Sequence, residues 1–271
     1  MLETSRRWRR EGDTIGLVPT MGALHAGHMS LVDRACHENR RVVVSVFVNP
    51  IQFGPGEDLA RYPSSPDHDR ELLSRAGVEA IYKPAERAMY PPGMSTRVSV
   101  HRVSEPLEGA ARPGHFEGVA TVVTKLFNAV EPDRAYFGQK DAQQVAVVRR
   151  LAMDLDTGVE IRVCPTMREP DGLALSSRNA YLKPRERVAA ACLSAALRLA
   201  SRTYRSGDHD PARLRSVLLR RIRDEPLAEV DYAEVVDPET FSTPGTLAVL
   251  AVRIGKTRLI DNHDLAREFP G

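Results

Sequence analysis

A short apolar strand that runs directly into a turn and then into a helical pattern is the feature that most constrains this chain. The strand IGLV begins at Ile15, Pro19 and Gly22 interrupt it, and a run of helical periodicity starts near His28. The order of strand, turn and helix is typical of the opening unit of a parallel α/β sheet. The turn is therefore expected at the carboxyl end of a strand and at the N-terminus of a helix.

This turn carries two histidines, His25 and His28, with Gly27 between them. Backbone N–H groups and the positive end of the helix dipole converge at a helix N-terminus, which favours a bound phosphate. Two imidazoles there can donate to phosphate oxygens in a phosphoryl or nucleotidyl transfer, and Gly27 lets a base or ribose approach the backbone. A histidine pair in a helix cap can also be purely structural, so the residues alone leave both interpretations open.

The alternation of strand and helix patterns continues to about residue 165. RVVVSVFV (residues 41–48) is a β-branched run that predicts a strand buried on both faces. A helix over 65–76, the strand EAIY, the helix GVATVVTKLFNAV, the strand RAYF, a further helix and the strand VEIRV follow. Ligands bind beyond the carboxyl ends of such strands, so the loop NPIQFGPGEDLARYP is expected beside the histidine turn.

The pattern changes after Pro165. TMREPDGLALSSRNAYL predicts a loop, Pro184 starts a long helix, and a second helix precedes three runs that indicate an antiparallel sheet. We therefore predict an α/β protein with two domains. Residues 1–166 form a Rossmann-like parallel-sheet domain, and residues 167–271 form a smaller C-terminal α+β domain.

Composition excludes several classes of protein. A chain with 42% hydrophobic and 27% charged residues and a net charge of +2 is typical of a globular protein, and it gives no general electrostatic case for nucleic acid or a membrane surface. No run predicts a membrane span or a secretion signal, so we expect a cytoplasmic protein. Isolated cysteines predict buried thiols, and an N-terminal arginine cluster predicts a solvated helix face. These residues are Cys36, Cys164, Cys192, Arg6, Arg7, Arg9 and Arg10.

Four separated motifs, from about Gly16 to Leu182, occur in a characteristic order. They are VPTMGALHAGH, FVNPIQFG, RPGHFEGVATVVTKLFNAVEPDRAYFGQKDAQQ and LALSSRNAYL. As a set they closely resemble the pantoate:beta-alanine ligase (pantothenate synthetase) family. The HxGH turn and the SSR loop are also similar to signatures of class I aminoacyl-tRNA synthetases and nucleotidylyltransferases, but QFGPGEDLARYP and RPGHFEGV favour the ligases.

The resemblance implies a reaction in two halves. ATP and (R)-pantoate give pantoyl adenylate and diphosphate, and the amine of beta-alanine then attacks the adenylate carbonyl to give pantothenate and AMP. It further implies Mg²⁺ accompanying ATP and a homodimer. The parallel-sheet domain is expected to bind ATP and pantoate, with the C-terminal domain as a lid.

The resemblance also implies site residues. His25, His28, Lys140 and Arg178 are expected to be catalytic, because donors and cations must neutralise phosphates as a carboxylate attacks phosphorus. By resemblance, His28 is the proton donor. The expected ATP-binding set adds Met21, Gly22, Ala23, Leu24, Ala26, Gly27, Gly138, Gln139, Asp141, Met167, Leu175, Ser176 and Ser177.

Gln52 and Gln144 are the implied pantoate ligands, because an amide offers donors and an acceptor to hydroxyls and a carboxylate. Thr20 and Arg112 complete the expected substrate-binding set. Without the resemblance, Gln144 on a helix would be read as a solvated residue. Three further histidines are expected to lie outside the site, one packed in a loop and two on the surface. These are His115, His101 and His263.

The chain departs from the family pattern at His68, where the family often has an acidic residue associated with magnesium. Asp69 beside it is retained, so we expect at most a water-mediated metal link from Asp69 and little catalytic weight for His68, which we place in a loop. The family usually also has a strand and helix before the segment near Arg9. The sheet edge is therefore expected to be trimmed, or the start codon to lie upstream.

Three alternatives remain open at this point. A nucleotidylyltransferase acting on a phosphorylated small molecule would need a phosphate site in place of the two glutamines. An RNA-binding relic of a synthetase would need a basic face or an anticodon-binding module, which 271 residues with a net charge of +2 do not clearly supply. A catalytically dead nucleotide-binding protein is disfavoured, because both histidines and both expected cations are present.

Overall fold

The computed structural model describes residues 1–270 and divides into two compact units. The first comprises Met1–Gly138 and Gln144–Cys164. The second comprises Gln139–Gln143 and the chain from Pro165 onward. The short segment after residue 138 thus belongs to the second unit, although its neighbours on both sides belong to the first.

Parallel strands form the sheet of the first unit. They are β1 (Ile15–Thr20), β2 (Arg41–Val46), β3 (Ala80–Tyr82), β4 (Arg134–Gly138) and β5 (Glu160–Cys164), and their order in the sheet is β3–β2–β1–β4–β5. The parallel sheet predicted from the sequence is confirmed, and Val42, Val43 and Val44 are buried as expected of a central strand. β2 ends earlier than predicted, because its partner β1 ends at Thr20, which pairs with Val46.

Helices cover this sheet and alternate with its strands. They are α1 (Leu2–Arg10), α2 (Ala26–Glu38), α3 (Pro66–Arg75), α4 (Glu86–Met89), α5 (Glu108–Ala111), α6 (His115–Val130) and α7 (Ala142–Asp154). Short 3₁₀ helices occupy Pro50–Gln52 and Leu59–Arg61. The arginines of α1 lie on an exposed face as predicted, and two of them, Arg6 and Arg9, form ion pairs with Glu131 and Asp133.

An antiparallel sheet, three α-helices and the 3₁₀ helices Gln139–Asp141 and Ser177–Tyr181 form the second unit, which confirms the predicted α+β domain. The elements are α8 (Pro184–Ala189), α9 (Cys192–Arg205), α10 (Pro211–Arg223), β6 (Ala228–Val236), β7 (Leu247–Ile254) and β8 (Thr257–Asp264). The single long helix predicted from Pro184 is wrong. It divides at Ala190 and Ala191, where Ala191 N–H bonds to Val188 O and Leu193 N–H to Ala190 O, a tighter pattern than the α-helical one.

The three cysteines are free thiols. Cys164 and Cys192 are buried as predicted, whereas Cys36 is half-buried. Among residues 1–270, no helix has the length and apolar character that crossing a bilayer requires.

Candidate active site

A buried carboxylate organises the turn after β1. Gly22 and Ala23 adopt left-handed backbone conformations, with φ of 83° and 50°. Asp69, on the first turn of α3, is buried and accepts hydrogen bonds from Ala23 N–H at 3.0 Å and Leu24 N–H at 2.8 Å. A side chain on Gly22 would press on this carboxylate, since its Cβ would lie 3.1 Å from Asp69 Oδ2. The turn is therefore fixed by a residue that lies more than forty positions away.

The two histidines form a capping box at the N-terminus of α2, which confirms the predicted helix start. His25 is the N-cap residue, and its Nδ1 accepts from Gly27 N–H at 3.1 Å. His28 Nδ1 accepts from His25 N–H at 3.3 Å, and the ring centroids lie 4.0 Å apart. Because Nδ1 acts as an acceptor in both rings, a neutral ring carries its hydrogen on Nε2. Both imidazoles can therefore donate from Nε2.

A buried polar network sets the orientation of Gln52. Asn49, which is 1% exposed, donates from Nδ2 to Gln52 Oε1 at 2.9 Å and to Gly118 O at 3.1 Å. Tyr90 Oη donates to Asn49 Oδ1 at 2.6 Å, and burial raises the pKa of Tyr90, which keeps this hydroxyl protonated. Gln52 Oε1 is thus engaged within the protein, and Nε2 is the donor end of the amide, 3.4 Å from Met21 Sδ.

The close packing of α6 against Gln52 requires a glycine. A Cβ on Gly118 would lie 2.6 Å from the Cα atom of Gln52, a distance that side chains do not tolerate. Gly118, the second glycine of the motif GHFEG, is therefore required for packing. Asn49 and Tyr90 were not singled out from the sequence, because no local pattern shows that their side chains meet.

The His115 side chain contacts the main chain of Gln52. Its Nδ1 lies 2.9 Å from Gln52 O, and its Nε2 lies 3.1 Å from Arg112 Nη1. Burial, then the nearby Arg112, lowers the pKa of His115 to about 4, so the ring is neutral and donates from Nδ1. His115 is the first residue of α6 rather than a loop residue, but its buried ring packs against the loop at Gln52, as expected of a packing histidine.

Arg112 and Thr20 already have partners inside the protein. The Arg112 guanidinium binds both oxygens of Glu57, at 2.8 and 2.7 Å. Thr20 Oγ1 donates to Ser45 O at 2.8 Å and accepts from Gly22 N–H at 3.2 Å. These contacts give both side chains a structural role in holding the loop and the turn.

Gln144 lies on α7 in the first unit and is half-buried. Gly138 ends β4, and a Cβ placed on it would meet no atom within 4 Å. Open space beside the end of a parallel strand is compatible with the binding role predicted for Gly138.

Lys140 and Asp141 belong to the second unit, in the 3₁₀ helix Gln139–Asp141. Lys140 Nζ lies 3.8 Å from Asp141 Oδ1, and the Lys140 side chain is 20% exposed. In the loop of the same unit, Ser176 caps the 3₁₀ helix Ser177–Tyr181 by accepting from Arg178 N–H at 3.2 Å. Met167 is exposed, and its carbonyl accepts from Leu175 N–H at 2.9 Å.

Two further predictions about histidines are corrected by the structure. His68 lies on α3, inside the helix predicted over 65–76, so the separate expectation of a loop position is wrong; its side chain is exposed. His263 is half-buried rather than a surface residue, since its ring packs on Phe269 with centroids 4.8 Å apart. Burial lowers the pKa of His263. His101 is exposed, as predicted.

The described residues do not form a magnesium site built from protein side chains alone. Within residues 1–270, no three His, Cys, Asp or Glu side chains lie close enough together to hold a metal. Each oxygen of Asp69 accepts one backbone N–H group, so this carboxylate serves to hold the turn after β1. Mg²⁺ is usually bound by one or two carboxylates together with substrate phosphates and water. No step of the chemistry is therefore assigned to a protein-bound metal.

Curated relatives resemble the chain along nearly its whole length. Pantothenate synthetase of Rubrobacter xylanophilus is 55% identical over 276 residues, which cover 97% of this chain and 95% of the relative. Pantothenate synthetase of Herpetosiphon aurantiacus is 51% identical over 267 residues, with coverage of 96% and 97%.

Solved structures show the same similarity. A pantoate-beta-alanine ligase (pantothenate synthetase) of Thermus thermophilus matches with a TM-score of 0.90 and 48% identity, over 93% of each chain. The pantoate-beta-alanine ligase of Francisella tularensis, complexed with beta-gamma ATP and beta-alanine, matches with a TM-score of 0.81 and 34% identity, over 99% and 97%. The family model described as Pantoate-beta-alanine ligase covers residues 1–264, and the chain therefore belongs to this family.

Proposed function

We propose that the protein condenses (R)-pantoate with beta-alanine to give pantothenate, at the expense of ATP, with release of AMP and diphosphate. The observation that carries this proposal is the histidine pair at the N-terminus of α2, whose Nδ1 atoms both accept backbone N–H groups. Membership of the ligase family identifies the substrates, and the related Francisella structure is described as a complex with an ATP compound and beta-alanine.

In the first half-reaction, a carboxylate oxygen of pantoate attacks the α-phosphorus of ATP. An O–P bond forms to give pantoyl adenylate, and the bond to the β-phosphate oxygen breaks to release diphosphate. We assign His25 and His28 as Nε2–H donors to the phosphate oxygens and Lys140 and Arg178 as the cations that offset the growing charge. The turn between Met21 and His28, with the predicted residues around Lys140 and Arg178, binds the nucleotide.

Gln52 and Gln144 bind pantoate in this proposal. Asn49 already donates to Gln52 Oε1, so Gln52 presents N–H donors to its ligand. A carboxylate or hydroxyl oxygen is the matching acceptor, and both occur in pantoate. Arg112 and Thr20 hold the loop and the turn through their protein partners, and their contacts to the substrate remain predictions.

In the second half-reaction, the amine of beta-alanine attacks the adenylate carbonyl. The C–N bond forms, the C–O bond to AMP breaks, and the amine loses its extra proton as pantothenate leaves. The family resemblance also implies that Gln52 reaches the amine of beta-alanine, and this contact is part of the proposal.

Magnesium enters with ATP as part of the substrate in this proposal, because residues 1–270 contain no cluster of three ligating side chains and Mg²⁺ is commonly held by substrate phosphates. A water-mediated link from Asp69 remains a prediction. The homodimer, the cytoplasmic location and the separate roles of residues 1–166 and 167–271 in binding substrates and acting as a lid also remain predictions.

The test is exchange of labelled diphosphate into ATP in the presence of pantoate and the absence of beta-alanine. The proposal predicts exchange, because formation of the adenylate is reversible and needs no amine. Exchange that appears only with a phosphorylated acceptor would contradict the proposal and favour the nucleotidylyltransferase alternative.

A further inference from the structure

Asn262 on β8 uses its whole amide group to hold the segment that contains Lys140. It is 4% exposed and pairs in register with Val249 of β7. Its Nδ2 donates to Gln139 O and to Lys140 O, both at 2.9 Å. Its Oδ1 accepts from Gln139 Nε2 at 3.2 Å. All of these residues belong to the second unit.

A buried ion pair holds Asn262 itself in place. Asp261, which is 3% exposed, binds Arg168 through both oxygens, at 2.7 and 2.9 Å. Asp261 Oδ1 also accepts from Asn262 N–H at 2.8 Å, and Arg168 Nη2 donates to Asn262 O at 3.3 Å. A desolvated pair of this kind adds little net stability, but it fixes the geometry of the groups around it.

One side chain therefore donates to two consecutive carbonyls. Carbonyls without a partner are costly when they are removed from water, so the amide of Asn262 favours this conformation of Gln139 and Lys140 over others. Asn262 contacts the main chain of Lys140. The four-carbon side chain of Lys140 keeps rotatable bonds with which its ammonium can reach a phosphate group.

We infer that Asn262 is a positioning residue for Lys140, which it fixes to the second unit so that the ammonium group is correctly placed for the phosphates of a nucleoside triphosphate. This inference rests on the proposed function, in which Lys140 offsets phosphate charge in the first half-reaction. Asn262 itself touches no reacting atom.

The test is a double-mutant cycle measured by pantoate-dependent diphosphate exchange. Asn262→Ala should lower exchange about 10- to 100-fold in the otherwise unchanged protein, because small displacements of a catalytic group have effects of that size. In the Lys140→Ala background the same change should alter the residual exchange by less than about twofold, because the residue through which Asn262 acts is already absent.

Asn262→Asp is the second variant, because it keeps the volume of the side chain but has no hydrogens for the two carbonyls. It should reproduce the loss seen with Asn262→Ala and keeps the cycle available if the alanine variant does not fold. His263→Ala is the control on the same strand, since it loses the contact to Arg267 O at 3.0 Å without touching Lys140, and it should retain exchange. Thermal unfolding of every variant verifies folding.

An equal loss from Asn262→Ala in both backgrounds would overturn the inference, because a general structural effect does not need Lys140. That result would leave the proposed function intact, since the unchanged protein would still exchange diphosphate. Absence of pantoate-dependent exchange in the unchanged protein would instead overturn the proposed function, and this inference with it.

Discussion

Gln52 in the first unit is held by its side chain, whereas Lys140 in the second unit is held by its main chain. Asn49, itself bound by Tyr90, engages the amide of Gln52, so the functional group is fixed before a ligand arrives. Asn262 engages the main chain of Lys140 and leaves its side chain adjustable. A fixed amide suits the recognition of one acid, whereas an ammonium on a four-carbon stem suits phosphates whose charge and position change during the reaction.

The histidine turn resembles Gln52 in this respect. Its two rings are fixed through Nδ1, and the turn is fixed by Asp69. In the proposed function, selectivity for the acid and alignment of the phosphate donors are therefore properties of the first unit. Charge neutralisation is assigned to Lys140 and Arg178, which both belong to the second.

The largest expected effect follows from removing a fixed donor. His28→Ala should lower pantoate-dependent diphosphate exchange by about 100-fold or more, or about 3 kcal/mol of transition-state stabilisation, as the loss of an oriented donor does. Initial rates of exchange at saturating pantoate and ATP measure the effect. Near-wild-type exchange would remove His28 from the mechanism.

The second prediction concerns pH and His115, whose neighbours are Arg112, Glu108, Glu57 and Gln52 O. The pKa of His115 in the folded protein is about 4, below its ordinary value of 6.5. Between these values the unfolded chain binds a proton that the folded protein does not, so the free energy of unfolding falls as the pH falls. The slope from this one group is at most about 1.4 kcal/mol per pH unit.

His115→Gln is the matched variant, because glutamine supplies a donor and an acceptor but does not titrate. Urea unfolding from pH 7 to pH 4 should show a weaker loss of stability for the variant than for the unchanged protein. Parallel curves would show that the folded protein does not keep this ring neutral.

The third prediction tests the anchor of the histidine turn. Asp69→Asn replaces one of two acceptor oxygens with an NH₂ group that faces a backbone N–H donor, which should cost about 1–3 kcal/mol in the free energy of unfolding. Asp67→Asn, on the same helix turn with a side chain that is 96% exposed, should change stability by less than about 0.5 kcal/mol. Unchanged stability for Asp69→Asn together with a raised magnesium requirement would indicate a metal role instead.

Features of the fold and the site could be predicted from the sequence where the interacting residues are close together along the chain. The strands, the start of α2 and the parallel sheet follow from local periodicity and turn residues, and all were predicted. Asn49 and Tyr90 are 41 positions apart, and Gln139 and Asn262 are 123 apart. Neither pairing leaves a local signal, because side-chain contacts of this kind are decided by tertiary packing.

The break between α8 and α9 has a different cause. The run VAAACLSAALRLA has the composition of a continuous helix, because alanine favours that state, and no glycine or proline marks the break. Helix propensity is a weak guide at such points, because tertiary packing overrides it. The assignments of Gln52, Lys140 and the other site residues rested on the family resemblance and remain predictions.

The fourth prediction separates the two substrates. Gln52→Ala should raise the Michaelis constant for pantoate at least about tenfold and leave ATP binding nearly unchanged, because its donors serve the acid. Tyr90→Phe should produce a smaller increase, about two- to tenfold, since it removes one hydrogen bond that orients Asn49. Calorimetric titrations with each substrate decide the matter, and equal weakening of both would show that the loop had collapsed.

The smallest expected effect is at His68, which is exposed on α3 beside the buried Asp69. His68→Asp should leave the turnover number nearly unchanged and at most lower the magnesium concentration needed for half activity. Loss of activity in a folded His68→Ala variant would show a direct role for this ring.

The central claim is that the chain activates pantoate as an adenylate, and the fate of the carboxylate oxygens tests it most directly. Pantoate labelled with ¹⁸O in its carboxylate is converted with ATP and beta-alanine, and the products are analysed by mass spectrometry. An attack on the α-phosphorus followed by attack of the amine on the carbonyl transfers one labelled oxygen to AMP in each turnover. Unlabelled AMP, or label in orthophosphate formed together with ADP, would contradict the account.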